Sequence, residues 1–184
     1  MEAKRRHSHI ALAHSYWQNH VQKDTWAIDA TCGNGKDTSF LAQICTGVIS
    51  IDIQEKALES ARQEAGENVS FFCQSHEEFP SQAYEKPISL IVYNLGYLPG
   101  GDKGLTTLTS STLKSLNRAM EILLPGGLIS ITCYPGHPEG ANEEEALLTF
   151  AKGLDPKNWS ACHHRWLNRN KAPSLLLLEK SFVK

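Results

Sequence analysis

Five short stretches of the sequence hold most of the side chains able to do chemistry. The first is Asp29-Ala30-Thr31-Cys32-Gly33-Asn34-Gly35. It follows an apolar run, Trp26-Ala27-Ile28, and precedes Lys36-Asp37-Thr38-Ser39-Phe40-Leu41-Ala42, which reads as the start of a helix. A strand that turns into a helix across two glycines brings bare backbone N–H groups close to a ligand. The second is Asp52-Ile53-Gln54, at the end of the run Val48-Ile49-Ser50-Ile51. A carboxylate at the tip of the second strand suits the hydroxyls of a ribose. The others are Ser75-His76, the glycine-rich Asn94–Lys103, and Tyr134-Pro135-Gly136-His137-Pro138-Glu139-Gly140.

The elements that must carry these stretches alternate. Apolar periodicity predicts a helix over 9–22 with Ile10, Ala13, Trp17 and Val21 on one face. Strands follow at 26–31, 48–53, 69–74, 89–94 and 128–133, with helices at 37–45, 55–65, 111–124 and 142–154 between or after them. Pro80 and Pro87 mark a loop, 95–110 reads as a second and long one, and Pro125-Gly126-Gly127 reads as a turn. Two closing strands, 159–166 and 175–179, are expected to form a hairpin around Leu167-Asn168-Arg169-Asn170-Lys171. Alternation of this kind predicts one domain over 1–184, a doubly wound α/β sheet with ligands at the carboxyl ends of its strands. All five stretches fall at those ends.

The bulk numbers agree with a globular chain. Of 184 residues, 41% are hydrophobic and 21% charged, ordinary for a globular protein with a core. No apolar run approaches the roughly 20 residues that a membrane span needs, and no apolar stretch follows the basic N-terminus. The five cysteines are odd in number and contain no CxxC pair, which points to a reducing, cytoplasmic setting without a zinc site. His7, His9 and His14 lack a second ligand cluster, so no metal is expected. A net charge of −2 does not announce a nucleic-acid binder, although Lys4, Arg5 and Arg6, and again Arg165, Arg169 and Lys171, cluster locally.

The glycine turn lacks the third glycine of the dinucleotide fingerprint, and Asp37 in the first helical turn would repel a pyrophosphate. S-adenosylmethionine has no phosphate, and its ammonium and sulfonium are cationic. Asp29 then suits the ammonium, the Gly33–Gly35 backbone the carboxylate, Asp52 the ribose, and Ser75-His76 the adenine. Each residue also has a plainer reading: Asp29 and Asp52 as loop caps, His76 as a structural histidine, His137 as a turn residue.

These motifs resemble those of the YtqB-type, rRNA-methylase-like family of class I S-adenosylmethionine-dependent methyltransferases. The shared features are Asp29-Ala30-Thr31-x-Gly33-Asn34-Gly35-x-Asp37-Thr38, Asp52-Ile53-Gln54, Ser75-His76-Glu77, Asn94-Leu95-Gly96-Tyr97-Leu98-Pro99-Gly100-Gly101-Asp102-Lys103, and Tyr134 through Gly140. The resemblance implies a Rossmann-like class I methyltransferase fold: a seven-stranded, mostly parallel sheet with a C-terminal antiparallel hairpin and helices on both faces. It implies methylation of the primary amine of 5-aminomethyl-2-thiouridine at the tRNA wobble position.

On that footing Asp29, Thr31, Gly33, Asn34, Gly35, Asp37, Thr38, Asp52, Gln54, Ser75, His76 and Asn94 are expected to bind the cofactor. Asn94, with the Leu95 and Gly96 backbone, would hold the amine, Tyr97 would pack on the uracil, Asp102 would accept the proton, and Lys103 would meet a phosphate. Asp102 has a second reading, as a residue that fixes the glycine-rich loop. Thr106, Thr107, Tyr134 and His137 complete the expected substrate side. The partner is expected to be the tRNA anticodon stem-loop, with a homodimer as the candidate assembly. An rRNA or small-amine methyltransferase and a non-catalytic cofactor-binding module are the alternatives.

Overall fold

The computed structural model describes residues 8–96, 107–169 and 171–182. Thirteen elements follow one another as α1 (His9–His20), β1 (Trp26–Asp29), α2 (Lys36–Ile44), β2 (Gly47–Asp52), α3 (Glu55–Glu64), β3 (Val69–Cys73), α4 (Ser81–Glu85), β4 (Ile88–Asn94), α5 (Thr109–Ile122), β5 (Leu123–Cys133), α6 (Pro138–Lys152), β6 (Trp159–His164) and β7 (Ser174–Lys180). The strands form a seven-stranded sheet in the order β3-β2-β1-β4-β5-β7-β6. Its first five members are parallel, and β7 runs antiparallel to both β5 and β6.

The alternation of side chains across each strand divides the core in two. Ala27, Val48, Leu90, Val92, Leu128, Leu175 and Leu177 pack with Ala13 and Trp17 of α1 and Leu41 of α2. Ile28, Ile49, Ile51, Ile91, Tyr93, Ile129, Ile131, Leu176 and Leu178 pack with Ala83 of α4, Leu116 and Ala119 of α5, and Leu147 and Ala151 of α6. Helices therefore cover both faces. The sheet order reverses between β1 and β4, so their carboxyl ends, Asp29 and Asn94, flank the crevice where open α/β sheets take their ligands.

Several boundaries differ from the sequence reading. The segment 81–85, read as loop, makes a short helix over Ser81–Glu85 that buries Ala83. Pro125-Gly126-Gly127 bends the chain inside β5 rather than before it. The register jumps from Ile88↔Leu123 to Leu90↔Leu128, and Gly126 takes a positive φ of 73° in the bulge. The last helix begins at Pro138 rather than Asn142, because the His137 side chain caps it and proline fits the first helical position. Among the described residues no helix is long and apolar enough to cross a membrane.

Candidate active site

The turn after β1 is built around a buried carboxylate. Asp29 is fully buried and accepts hydrogen bonds from Thr31 N (3.2 Å) and Thr38 Oγ1 (2.6 Å), while Thr38 Oγ1 also meets Ser50 Oγ at 2.9 Å. Burial pushes its carboxyl up to about 7, against the opposing pull of the Thr38 bond. Asp29 was expected at a ligand ammonium and, in its plainer reading, as a cap of the turn; its bonds to Thr31 N and Thr38 Oγ1 tie the strand end to the first turn of α2. Above it Gly35 caps α2 in a left-handed conformation, φ 74°. A Cβ there would lie 2.6 Å from Ala61 Cβ, so the loop rests directly on α3. No side chain caps α2. The first-turn N–H groups of α2 thus lack an internal acceptor of the usual kind, as an anion site requires.

Asp52, half-buried at the end of β2, accepts from Gly33 N at 2.8 Å and Gln54 N at 2.9 Å. Each oxygen spends one lone pair on these bonds and keeps another for a diol. In the turn after β3, Ser75 Oγ accepts from Glu77 N at 3.2 Å. His76 is buried with its ring edge-on to Tyr93, centroids 6.0 Å apart. Burial lowers its pKa, which holds the imidazole neutral at neutral pH. The donor set fits a cationic, phosphate-free nucleoside. Asp29, Asp37 and Asp52 lie close enough for the charges of the last two to raise Asp29 further, a field that repels a pyrophosphate and attracts a sulfonium.

Across the crevice, Asn94 ends β4. Its backbone N–H donates to Thr31 Oγ1 at 2.6 Å, and its side-chain Nδ2 donates to Asp37 Oδ2. An ionised carboxylate only accepts, so the amide must face Asp37 with its NH2. The carbonyl Oδ1 of Asn94 is therefore the end turned to other partners. The second oxygen of Asp37 meets His14 Nε2 of α1 at 2.7 Å, and His14 stacks on Phe40 at 3.8 Å between centroids. From sequence Asp37 was expected to be a charge in the first turn of a helix and one of the cofactor-binding residues. In the structure it links α1, α2 and β4.

The chain returns at Thr107. Gly96 N donates to Thr107 Oγ1 (2.9 Å), and Thr107 N donates to Gly96 O (3.1 Å), so the Gly96 carbonyl expected at the amine already has a partner. Thr107 Oγ1 donates in turn to Glu143 Oε2 (2.9 Å), and Thr112 Oγ1 donates to Glu143 Oε1 (2.7 Å). Glu143, 3% exposed on α6, thus clamps both the foot of this loop and the start of α5. Burial raises its carboxyl above the usual range. Leu95 is buried, with its N–H on Thr132 O.

Tyr134, after β5, meets His9 Nε2 of α1 at 3.2 Å, and burial pushes its hydroxyl up to about 12. His137 Nδ1 accepts from Gly140 N at 3.1 Å and caps α6, the turn role that stood beside its reading as a substrate contact.

The structure thus gathers Thr31, Gly33, Gly35, Asp37, Thr38, Asp52, Gln54, Asn94, Leu95, Gly96, Thr107 and Tyr134 around one end of the sheet, with Asn34 and Ser75 exposed on its rim. Tyr97, Asp102, Lys103 and Thr106 lie outside the described residues. Sequence reasoning missed His9, His14 and Glu143. A signal for Glu143 existed: it shares the buried stripe Gly140–Glu143–Leu147–Ala151, where an acid is out of place unless something pairs with it.

Comparison with known proteins extends the picture. The family described as "Putative rRNA methylase" matches residues 48–180. A "tRNA (mnm(5)s(2)U34)-methyltransferase, chloroplastic" of Arabidopsis thaliana is 39% identical over 186 residues, 92% of this chain and 68% of the relative. A "putative rRNA-methylase" of Clostridium thermocellum superposes with a TM-score of 0.88 at 32% identity, covering 98% of this chain and 100% of the other. A "putative methyltransferase" of Streptococcus mutans in complex with SAH superposes at 0.81 with 31% identity, covering 97% and 99%.

Proposed function

Since the chain belongs to the rRNA methylase family and is an S-adenosylmethionine-dependent methyltransferase, we propose that its substrate is the wobble uridine of a tRNA, which it converts from 5-aminomethyl-2-thiouridine to the 5-methylaminomethyl form. The tRNA rests on the name of the Arabidopsis relative. The amine rests on the site: Asn94, at the switch point, commits its NH2 to Asp37 and so offers a carbonyl oxygen to an N–H donor. That is the single observation that carries the chemistry.

When bound, the cofactor supplies an electrophilic methyl on a cationic sulfur. The chain's own residues do the rest. Gly33 N–H is spent on Asp52 and Gly35 N–H on the Cys32 carbonyl, so Asn34 N–H and the first turn of α2 would hold a carboxylate, Asp52 a ribose, and Ser75 with His76 the edge of the adenine. An alkyl ammonium has a pKa of about 10, so the site must favour the neutral amine. Asn94 Oδ1 accepts one N–H of the amine and thereby directs the nitrogen lone pair. Alignment of this kind is a large part of the rate for a displacement between two held partners. Tyr97 against the uracil, Asp102 as proton acceptor and Lys103 at a phosphate belong to the same proposal, on the strength of the motif they occupy. We further propose that the anticodon stem-loop is the part of the tRNA that enters the crevice, and that the protein acts in the cytoplasm.

The test is direct. The purified protein is incubated with labelled S-adenosylmethionine and with tRNA from a strain that lacks this enzyme, and the digest is separated into nucleosides. Label in 5-methylaminomethyl-2-thiouridine is the expected result. Label confined to rRNA, or no labelled nucleoside, overturns the reading.

A further inference from the structure

Residues 165–173 read Arg-Trp-Leu-Asn-Arg-Asn-Lys-Ala-Pro, with three cations and no acid in a chain of net charge −2. Topology decides where they go. Cys133, the last residue of β5, pairs with Ser174, and Leu175 pairs with His164. The β6–β7 loop therefore leaves the sheet at the same end as Asp29 and Asn94. With strands about 4.8 Å apart, β6 stands three spacings from β4, about 15 Å to the side of Asn94. The loop also passes close to the rim of the crevice: a Cβ added to Gly136 would lie 3.8 Å from the Lys171 carbonyl.

The side chains there are presented rather than used. Arg165, Arg169 and Lys171 are exposed, and among the described residues none of them is in an ion pair. The Arg169 guanidinium lies 5.2 Å from the centre of the Trp166 ring, and Leu167 is 95% exposed. Below the tip the hairpin is held firmly. Tyr16 of α1 meets His164 Nε2 at 2.9 Å, and Glu144 of α6 stands 3.6 Å from His163 Nε2.

We propose that this loop is the RNA-docking surface of the enzyme. Arg165, Arg169 and Lys171 would neutralise phosphates, and the Trp166–Arg169 stack with Leu167 would give a flat, largely apolar platform for an unstacked base. Guanidinium planes and aromatic rings are what splayed RNA bases stack on, and cations spaced along a rim are what a phosphate backbone needs. A small uncharged amine substrate would need none of this. The inference rests on the tRNA reading above and says where that partner lies: over β5, β7 and β6, with the target uridine reaching back to Asn94.

The experiment compares the wild type with an Arg165→Gln/Arg169→Gln/Lys171→Gln variant, and with a Lys23→Gln/Lys157→Gln variant that removes exposed cations next to the opposite ends of β1 and β6. The KM for tRNA from a strain that lacks this enzyme, which carries 5-aminomethyl-2-thiouridine, is measured from 50 to 200 mM salt, and affinity for S-adenosylhomocysteine is measured by calorimetry. Each phosphate contact adds about 0.7–0.9 to the slope of log affinity on log salt. The loop variant should flatten that slope by about 2 and raise the KM at least about tenfold at low salt, with cofactor affinity unchanged as the sign of an intact fold. The control variant should keep the wild-type slope. A loop variant with wild-type KM and slope, on an enzyme that methylates tRNA, overturns the docking surface and leaves the substrate reading standing. A wild type that transfers no label to tRNA overturns both.

Discussion

Glu143 touches no predicted substrate atom, and its removal should still cost the enzyme most of its rate. Its two oxygens accept from Thr107 and Thr112 at 2.9 and 2.7 Å, and Thr107 in turn accepts from Gly96. In Glu143→Gln one amide oxygen keeps one hydroxyl. The NH2 then points at a hydroxyl that must turn round to accept. Thr107 already spends a lone pair on Gly96, so its own O–H is left without an acceptor. One hydrogen bond to a charged group is worth about 1.5–3 kcal/mol, part of which returns because a buried charge is removed, so a net weakening of about 1–2 kcal/mol is expected. If that falls on the loop foot, kcat/KM for tRNA drops by roughly 5- to 30-fold. Glu143→Ala frees both hydroxyls and should cost about 100-fold. Affinity for S-adenosylhomocysteine should stay within about twofold, because no cofactor-side residue bonds to Glu143, and the Gln variant's Tm should fall by no more than about 2–8 °C. Single-turnover methylation, calorimetry and thermal melting read the three quantities. Loss of cofactor affinity in step with activity would show that Glu143 holds up the sheet end as a whole; wild-type activity would show that the loop needs no anchor.

Three further outcomes follow from the same geometry. Gly35→Ala forces a left-handed residue and a 2.6 Å approach to Ala61, which should lower stability by about 2–4 kcal/mol in urea unfolding; an unchanged midpoint would mean that the loop does not rest on α3. Asp29 keeps its proton in the folded protein up to about 7, whereas the unfolded chain sheds it in the usual carboxylate range, so the folded state binds the extra proton and stability falls as pH rises through that window. An Asp29→Asn variant should lack that fall in denaturant titrations from pH 4 to about 7, and an identical slope in both proteins would remove Asp29 as its source. Asp37→Asn leaves nothing to fix which end of the Asn94 amide faces the amine; kcat should drop about 10- to 100-fold with little change in the KM for tRNA, and a purely KM effect would place Asp37 in substrate binding instead.

Which parts of the molecule the sequence revealed is a matter of interaction range. The parallel strands were legible because each is buried on both faces and so reads as an apolar run, as in Leu90-Ile91-Val92-Tyr93. The hairpin was legible from the polar break between two runs. The bulge in β5 was not, because Pro125-Gly126-Gly127 has the same local chemistry whether it precedes a strand or kinks one. The start of α6 was missed for a similar reason: a histidine that caps a helix looks no different in sequence from one that meets a substrate.

The same reasoning explains how the candidate site divides. Residues whose role is set by their own turn, such as Gly35 at a positive φ or Asp52 closing on Gly33 and Gln54, were legible because the partner lies nearby along the motif or on the adjacent strand end. Residues whose role is set by a distant element were not. Asp37 was read as a first-turn charge of α2 and a cofactor ligand. The sequence did not show it as the junction of His14, twenty-three positions before it, and Asn94, fifty-seven after it. The three carboxylates then differ in burial and in partners. Asp29, sealed beneath the loop, is held near neutrality and braces the backbone. Asp52, half open, keeps lone pairs for a ligand. Asp37, between two side chains, sets the direction of an amide. One residue type thus does three tasks at one end of the sheet, and the partners that each carboxylate meets tell them apart.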